Sequence, residues 1–228
     1  MKKKVLLIAA IAAGVFTTSN VNAQDFKPAG GEKNVEVNFT PMGNAPISIN
    51  NLRFRYFSSS DMAFRVGFSV SSSSTTTPSI VQDSNGEDQE VESKSSTFGL
   101  SINPGIEKHF EGTDRLSPYV GAVLNFSMVN SKTTSESLDA NDAVVESEVK
   151  NSNGTDGTTF GLNLVLGTDW YISKHLYMGT EVGFGFSTTS FADTENTPPT
   201  GPSVTTPNGS SFNLGPNFNS AIRLGFLF

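Results

Sequence analysis

The sequence predicts an all-β chain, an eight-stranded antiparallel up-and-down transmembrane β-barrel, and three observations carry that prediction. The first is alternation at the C-terminus. Phe212, Leu214, Phe218, Ile222, Leu224, Phe226 and Phe228 share one side of a strand, while Ser211, Asn213, Gly215, Asn217, Asn219, Arg223 and Gly225 share the other. The second is an alternation in connection length, short turns against long polar loops, which is the asymmetry expected of outer-membrane barrels. The third is the placement of glycine. Gly67, Gly99, Gly105, Gly121, Gly161, Gly167, Gly179, Gly183, Gly185, Gly215 and Gly225 all fall on the polar face of their strands. Glycine is kept in strands where space is tight or the sheet must bend, and an eight-stranded barrel has room inside only for side chains. The polar face therefore points inward and the apolar face outward, which separates this chain from a soluble barrel with a greasy lumen.

Taken in order, the N-terminus reads as an export signal. Lys2, Lys3 and Lys4 precede an apolar run from Val5 to Phe16, and Val21-Asn22-Ala23 supplies small residues for cleavage before Gln24. Residues 1–23 are thus expected to be a cleaved signal peptide and 24–228 an outer-membrane β-barrel domain. The apolar run is shorter than the ~20 residues of a spanning helix. With no cysteine in the chain, neither a lipid anchor on cysteine nor a disulfide framework is possible. A chain that crosses a bilayer without helices has to close its sheet, because every backbone polar group in lipid needs an internal partner.

The strands are expected at Asn34–Thr40, Ile49–Phe57, Met62–Ser71, Thr97–Phe110, Ser117–Val129, Thr158–Ile172, Leu176–Ser187 and Ser211–Phe228. Short turns fall at 58–61, 111–116 and 173–175, and a connection with turn residues at Pro41–Pro46. Long loops fall at 72–96, 130–157 and 188–210. Tyr56, Trp170, Phe110, Phe226 and Phe228 would form an aromatic girdle at the short-turn rim, and Phe98, Phe126, Phe160, Phe186 and Phe212 one at the other. Pro104 and Pro216 fall inside strands, where a missing backbone donor is awkward. Pro104-Gly105 is read as a bulge, and Pro216 as lying near the outer end of its strand.

Charge divides the chain in two. The long loops hold Lys94, Lys132 and Lys150 as their bases amid a large excess of acids, so they read as an acidic, Ser/Thr-rich, mobile crown. The inward face of the strands carries Glu36, Glu107, Asp169 and Glu181 against Arg53, Arg55, Arg65 and Arg223, a neutral set suited to a charge network in a narrow interior. The overall charge of −7 disfavours nucleic acid.

Catalytic and metal readings find little support. His109 and His175 are the only histidines, both at short-turn ends, and neither has a serine or aspartate at a diagnostic spacing. Asp83-Ser84-Asn85-Gly86-Glu87-Asp88 lacks the glycine and glutamate positions of a calcium loop and reads as a solvated acidic turn. No cofactor, metal or catalytic residue is expected.

In these features the chain resembles the small outer-membrane β-barrels of Gram-negative bacteria, the OmpA/OmpX-type eight-stranded group and the related porin-family barrels. Phe226-x-Phe228 looks like the C-terminal signal read by the barrel-assembly machinery, although Arg223 stands where such signals usually carry glycine and Gly225 is displaced. The resemblance implies residence in the cell outer membrane, with long loops extracellular and both termini periplasmic. It implies outer-membrane lipids as surroundings, and periplasmic chaperones and the assembly machinery as partners in biogenesis. A non-enzymatic structural or surface-interaction role follows, with a narrow channel for ions or small solutes as the alternative and a lipid-modifying enzyme as a third reading.

Overall fold

The computed structural model describes residues 26–39, 47–218 and 222–228, and the expected signal peptide and the connection at 41–46 lie outside them. Among these residues twelve strands form one sheet: β1 Lys33–Phe39, β2 Ile47–Ser59, β3 Met62–Gln82, β4 Asp88–His109, β5 Leu116–Leu138, β6 Val144–Lys150, β7 Gly157–Tyr171, β8 Leu176–Phe191, β9 Thr194–Thr197, β10 Val204–Thr206, β11 Ser210–Phe218 and β12 Ile222–Leu227. Among the described residues no helix is long and apolar enough to cross a membrane.

The eight expected strands are the staves of a closed barrel. Antiparallel ladders run β1–β2, β2–β3, β3–β4, β4–β5, β5–β7, β7–β8 and β8–β12, and β12 returns to β1, with Asn34 opposite Leu227 and Phe39 opposite Ile222. The eighth stave is described in two pieces, β11 and β12. From Phe218 to Arg223 the chain takes five steps while its partner β8 takes three, from Val182 to Gly179, so β11 and β12 pair the same strand in registers two residues apart. An even offset keeps side-chain parity, and inward residues stay inward across the break.

Parity decides the faces. Phe54, Tyr56, Phe64, Val66, Phe68, Val120, Leu124, Leu164, Leu166, Trp170, Val182 and Phe184 are exposed on the outside, whereas Glu36, Arg55, Glu107, Asp169 and Arg223 are buried within. A soluble protein rarely exposes an apolar belt of this extent, and lipid is the solvent that accepts it. Tyr56, Phe110, Trp170 and Phe228 are exposed toward the short turns, and Phe98, Phe126, Phe160 and Phe212 toward the other rim.

The long connections differ from expectation. Much of the sequence expected as long loops is paired strand. The β3–β4 ladder continues without a register shift from Met62–Lys108 to Gln82–Asp88, well beyond the aromatic rim. Above the point where β5 leaves β7, it pairs β6 from Lys132–Lys150 to Leu138–Val144, and β9 and β10 extend that sheet. Ser and Thr fill these hairpins. Threonine is at home in strands and cross-strand hydroxyl pairs add to the ladder, so low apolar content does not by itself preclude a two-faced polar sheet. Ser93 and Ser135 hydroxyls meet at 3.1 Å across β4 and β5. The tight turn at the tip is held by Asp83, whose carboxylate accepts the amides of Asn85 and Glu87 at 2.9 and 2.8 Å, an Asx turn in the acidic hexapeptide.

Pro104 is not at a bulge. β4 pairs β5 in one register on either side of it, Ile102 opposite Phe126 and Gly105 opposite Val123, but the ladder lapses between them. Proline removes the donor without adding a residue. The lapse is bridged by side chains, since the Asn103 amide donates to Asn125 Oδ1 at 2.9 Å across the same pair of strands.

Candidate functional site

Every stave contributes a side chain to one polar layer inside the lower barrel. Arg55 on β2 lies at its centre. Its Nη1 donates to Glu107 on β4 at 2.9 Å and to Asp169 on β7 at 2.7 Å, and its Nη2 donates to the Tyr177 hydroxyl on β8 at 2.7 Å and pairs with Glu36 on β1. The Tyr177 hydroxyl in turn donates to Glu36 at 2.6 Å. Arg223 on β12 reaches Glu36 at 3.2 Å, Asp169 at 3.3 Å and the Thr180 carbonyl at 3.2 Å.

A second tier lies toward the long loops. Arg65 on β3 bridges Glu107 at 2.8 Å and Glu181 at 2.6 Å. Arg53 spans Glu36 at 3.2 Å and Glu181 at 3.4 Å, and the Tyr119 hydroxyl on β5 donates to Glu181 at 2.7 Å. The structure thus brings all eight inward charges into one connected network. Register explains why the acids have to sit on distant staves. Arg55 and Arg65 face each other directly across β2 and β3, a like-charge pair that is tolerable only because Glu107 accepts from both.

Glycine supplies the space. A Cβ on Gly179 would lie 2.5 Å from Asp169 Oδ1 and 2.7 Å from Arg223 Nη2, so this position has to be bare for that pair to meet. The Tyr177 ring lies over Gly225 and the Tyr119 ring over Gly167, where an added methyl group would fall 1.9 and 2.2 Å from the ring carbons. An aromatic ring covering a strand glycine fills the inside of the sheet and pins the register. The two tyrosines were absent from the sequence-derived set of site residues. Their parity with Gly121 and Gly179 is the signal that marks them as inward.

The structure also gathers a trio that spacing alone did not reveal. His109 Nδ1 lies 2.9 Å from the Ser117 hydroxyl and His109 Nε2 lies 3.2 Å from Glu107. Glu107 and His109 are two apart on one face of β4, and the β4–β5 hairpin, with His109 opposite Tyr119, carries Ser117 alongside. A serine, a histidine and a carboxylate in line resemble a nucleophile and its base. Here Ser117 is 3% exposed, and the imidazole is packed between Phe57 and Tyr119 at 5.3 and 5.1 Å. The hydroxyl is closed off from solvent, and the carboxylate is engaged by two arginines. The trio is part of the packing of the barrel floor. His175 lies apart, bonded through Nδ1 to the Leu227 carbonyl at 2.9 Å and stacked on Phe226. Phe228 is exposed on the outer wall beside it.

Comparison with known proteins places the chain in a family. Residues 38–226 match the Putative OmpA-OmpF-like porin family, and the chain belongs to that family of outer-membrane β-barrels. No curated protein matches the sequence. Among solved structures, the outer-membrane protein OprG from Pseudomonas aeruginosa aligns at 12% identity over 90% of this chain and 99% of its own, with a TM-score of 0.42. AlkL, determined in DMPC lipid bilayers, aligns at 16% identity over 93% and 97%, with a TM-score of 0.39. Ail, the attachment invasion locus protein of Yersinia pestis, aligns at 11% identity over 87% and 99%, with a TM-score of 0.34.

Proposed function

We propose that this outer-membrane barrel has a plugged interior and a structural or surface-interaction role rather than a conducting or catalytic one. The observation that carries the reading is the charge layer. Arg53, Arg55, Arg65 and Arg223 are each paired with carboxylates drawn from other staves, and the most central of these side chains are fully buried. Moving an ion through such a layer requires separating buried pairs, which leaves uncompensated charge at a cost of roughly 3–5 kcal/mol for each pair broken. Eight staves leave no second path, since a barrel of this size has an interior just wide enough for its side chains.

The same reading orients the molecule. The N-terminal 23 residues act as a cleaved export signal, the paired crown faces the medium, and both termini face the periplasm. Phe226 and Phe228 are read by the assembly machinery, which receives the chain from periplasmic chaperones. The crown, carrying a surplus of acids over Lys94, Lys132 and Lys150, is the surface available to a protein partner.

Planar-bilayer recording of refolded protein tests the plug. No steps above baseline are expected in KCl, and steps whose size scales with bulk conductivity would overturn it in favour of a narrow channel. A membrane-impermeant amine reagent on intact cells tests orientation. Lys94, Lys132 and Lys150 should be labelled, and Lys108 and Lys174 spared. The converse pattern would reverse the topology.

A further inference from the structure

Ahead of β1 the chain crosses the short-turn end of the barrel. A turn at Ala29–Glu32 sets its direction. Gly31 has a φ of 96°, the positive value needed at the third position of a type II turn. The Glu32 amide donates to the Ala29 carbonyl at 3.4 Å, and the Ala29 amide donates to the Glu32 carboxylate at 2.8 Å. The turn is fixed to β2, where the Gly31 amide donates to the Phe57 carbonyl at 2.7 Å and the Phe57 amide to the Glu32 carbonyl at 2.9 Å. Gly30 lies against the β2–β3 turn, since a Cβ there would be 3.3 Å from the Ser58 carbonyl oxygen and from Ser59 Cα. Pro28 is buried, and the Arg115 guanidinium lies over the Phe26 ring, 3.9 Å from its centroid.

Arg115 immediately precedes β5, and β5 stands four staves from β1, on the opposite wall of the barrel. A segment fixed to β2 at one end and to Arg115 at the other is therefore a chord across the mouth. Arg115 is itself tied to the next turn. Its Nη1 donates to the Ile172 carbonyl at 2.8 Å, and its carbonyl accepts the Tyr171 amide at 2.8 Å. One side chain holds the β7–β8 turn and the N-terminal segment at once. The strand that follows the segment is the one that closes the barrel, and its closing seam is short. Among the described residues β1 and β12 share six residue pairs, against fourteen for β5 and β7. At the foot of the seam Lys33 and Phe228 exchange backbone bonds of 3.0 and 2.8 Å. A terminal strand on a short ladder is where opening starts, unless something ties it down.

We propose that residues 26–32 are a latch, in which the docking of Phe26 on Arg115 fastens the start of β1 to the far wall and slows opening of the β1–β12 seam. The ring offers its face to a cation that stays hydrogen-bonded to Ile172, so the latch engages without breaking the bond between the two turns. Its anchors belong to staves that only closure brings near one another, so the latch sets after the seam has formed. An interaction made after the transition state changes the unfolding rate and leaves the folding rate alone. The latch is therefore a device of kinetic persistence, distinct from the buried charge layer that specifies the interior.

The test uses the full barrel refolded in detergent micelles, with the single tryptophan, Trp170, reporting unfolding and refolding after jumps in denaturant. F26A should unfold about two- to fivefold faster, the size expected of an exposed cation–π contact, with its refolding rate unchanged. R115A should unfold faster still, because it also loses the Ile172 bond, and F26Y, which keeps an aromatic face, should match the parent barrel. Backbone ¹⁵N relaxation supplies a second readout. The amides of Lys27, Ala29 and Gly30 should be ordered in the parent and mobile in F26A, while Gly31 and Glu32, held by β2, stay ordered in both. Should R115A fail to fold, F26A and F26Y still decide the matter. An unchanged unfolding rate in F26A would overturn the proposal, as would mobile Lys27–Gly30 amides in the parent. Slower refolding of F26A by the same factor would also overturn it, since the contact would then belong to the folding nucleus.

Discussion

The lower barrel and the crown are one continuous sheet, yet they are held by different forces. Below the outer rim, strands are tied across the lumen by side chains. Glu36 alone is shared by Arg53, Arg55 and Arg223, from two other staves. Above it, β3 from Ser69 to Gln82 pairs on one side only among the described residues, and β11 likewise pairs only β8. There the backbone ladder is supplemented by hydroxyl pairs, by exposed ion pairs such as Lys150 with Glu195 at 2.9 Å, and by a local buried cluster in which Asp156 accepts the Ser131 hydroxyl at 2.7 Å and Asn151 Oδ1 accepts the Asp156 amide at 2.9 Å. The difference teaches that ladders with local side-chain bonds can extend a sheet into water, but a specific interior needs cross-lumen contacts.

Breaking the comparison at its strongest point means removing Arg55. R55M leaves Glu36, Glu107 and Asp169 without their shared partner, and a buried charge stripped of its partner typically costs ~3–5 kcal/mol. Refolding titrations in detergent or lipid should show a loss of that size or failure to fold. A shift below ~1 kcal/mol would mean that the layer is wet and weakly coupled.

The outer wall comes next. Leu164 is 64% exposed on the lipid side of β7, and L164R should cost ~2–4 kcal/mol if it lies near the bilayer midplane. Ser127→Arg on the lumen side of β5 should cost less. Equal losses in the same titration would contradict the assignment of the faces.

Shortening the crown should do far less. Replacing residues 76–94 of the β3–β4 hairpin by a two-residue Asn-Gly turn joins Thr75 to Ser95, which already face each other. The truncated barrel is expected to keep its unheated gel mobility and its melting temperature within a few degrees. Collapse of the barrel on truncation would show that the crown, too, supports the staves.

The smallest expected effects are on the surface. Lys108 pairs with Asp61 at the short-turn rim, both about half exposed, and K108A should change stability by less than ~1 kcal/mol. At the crown, the Asp139 carboxylate accepts the amides of Ala143 and Asn141 at 2.9 and 2.8 Å, which holds its pKa below the ordinary aspartate range. A carboxyl lowered on folding stabilises the turn above its unfolded pKa and loses that contribution as pH falls through the folded one. Hydrogen exchange at those two amides, corrected for the intrinsic pH dependence, should therefore rise on acidification below the usual carboxylate range. It should not rise in D139N.

Much of the barrel was legible in residue order because a two-residue period needs no tertiary information. Alternation placed Leu224 and Phe226 outward and Arg223 and Gly225 inward, and the glycine positions said which face was the narrow one. Eight inward charges could be named from parity alone. Which of them meet could not, because Arg55 and Asp169 are 114 residues apart and their contact depends on barrel closure and register. The same is true of Ser117 beside His109 and of the tyrosine rings over Gly167 and Gly225. The crown was misread for a related reason. Its Ser/Thr segments bury little apolar surface, Val91 at 4% exposed being an exception, and that surface is what sequence patterning tracks; their order comes from ladders that continue upward from staves already fixed below. By itself the sequence determined the period, the faces and the balance of charge; only the closed sheet decided the pairs, because cross-lumen distance is a property of closure and not of spacing along the chain.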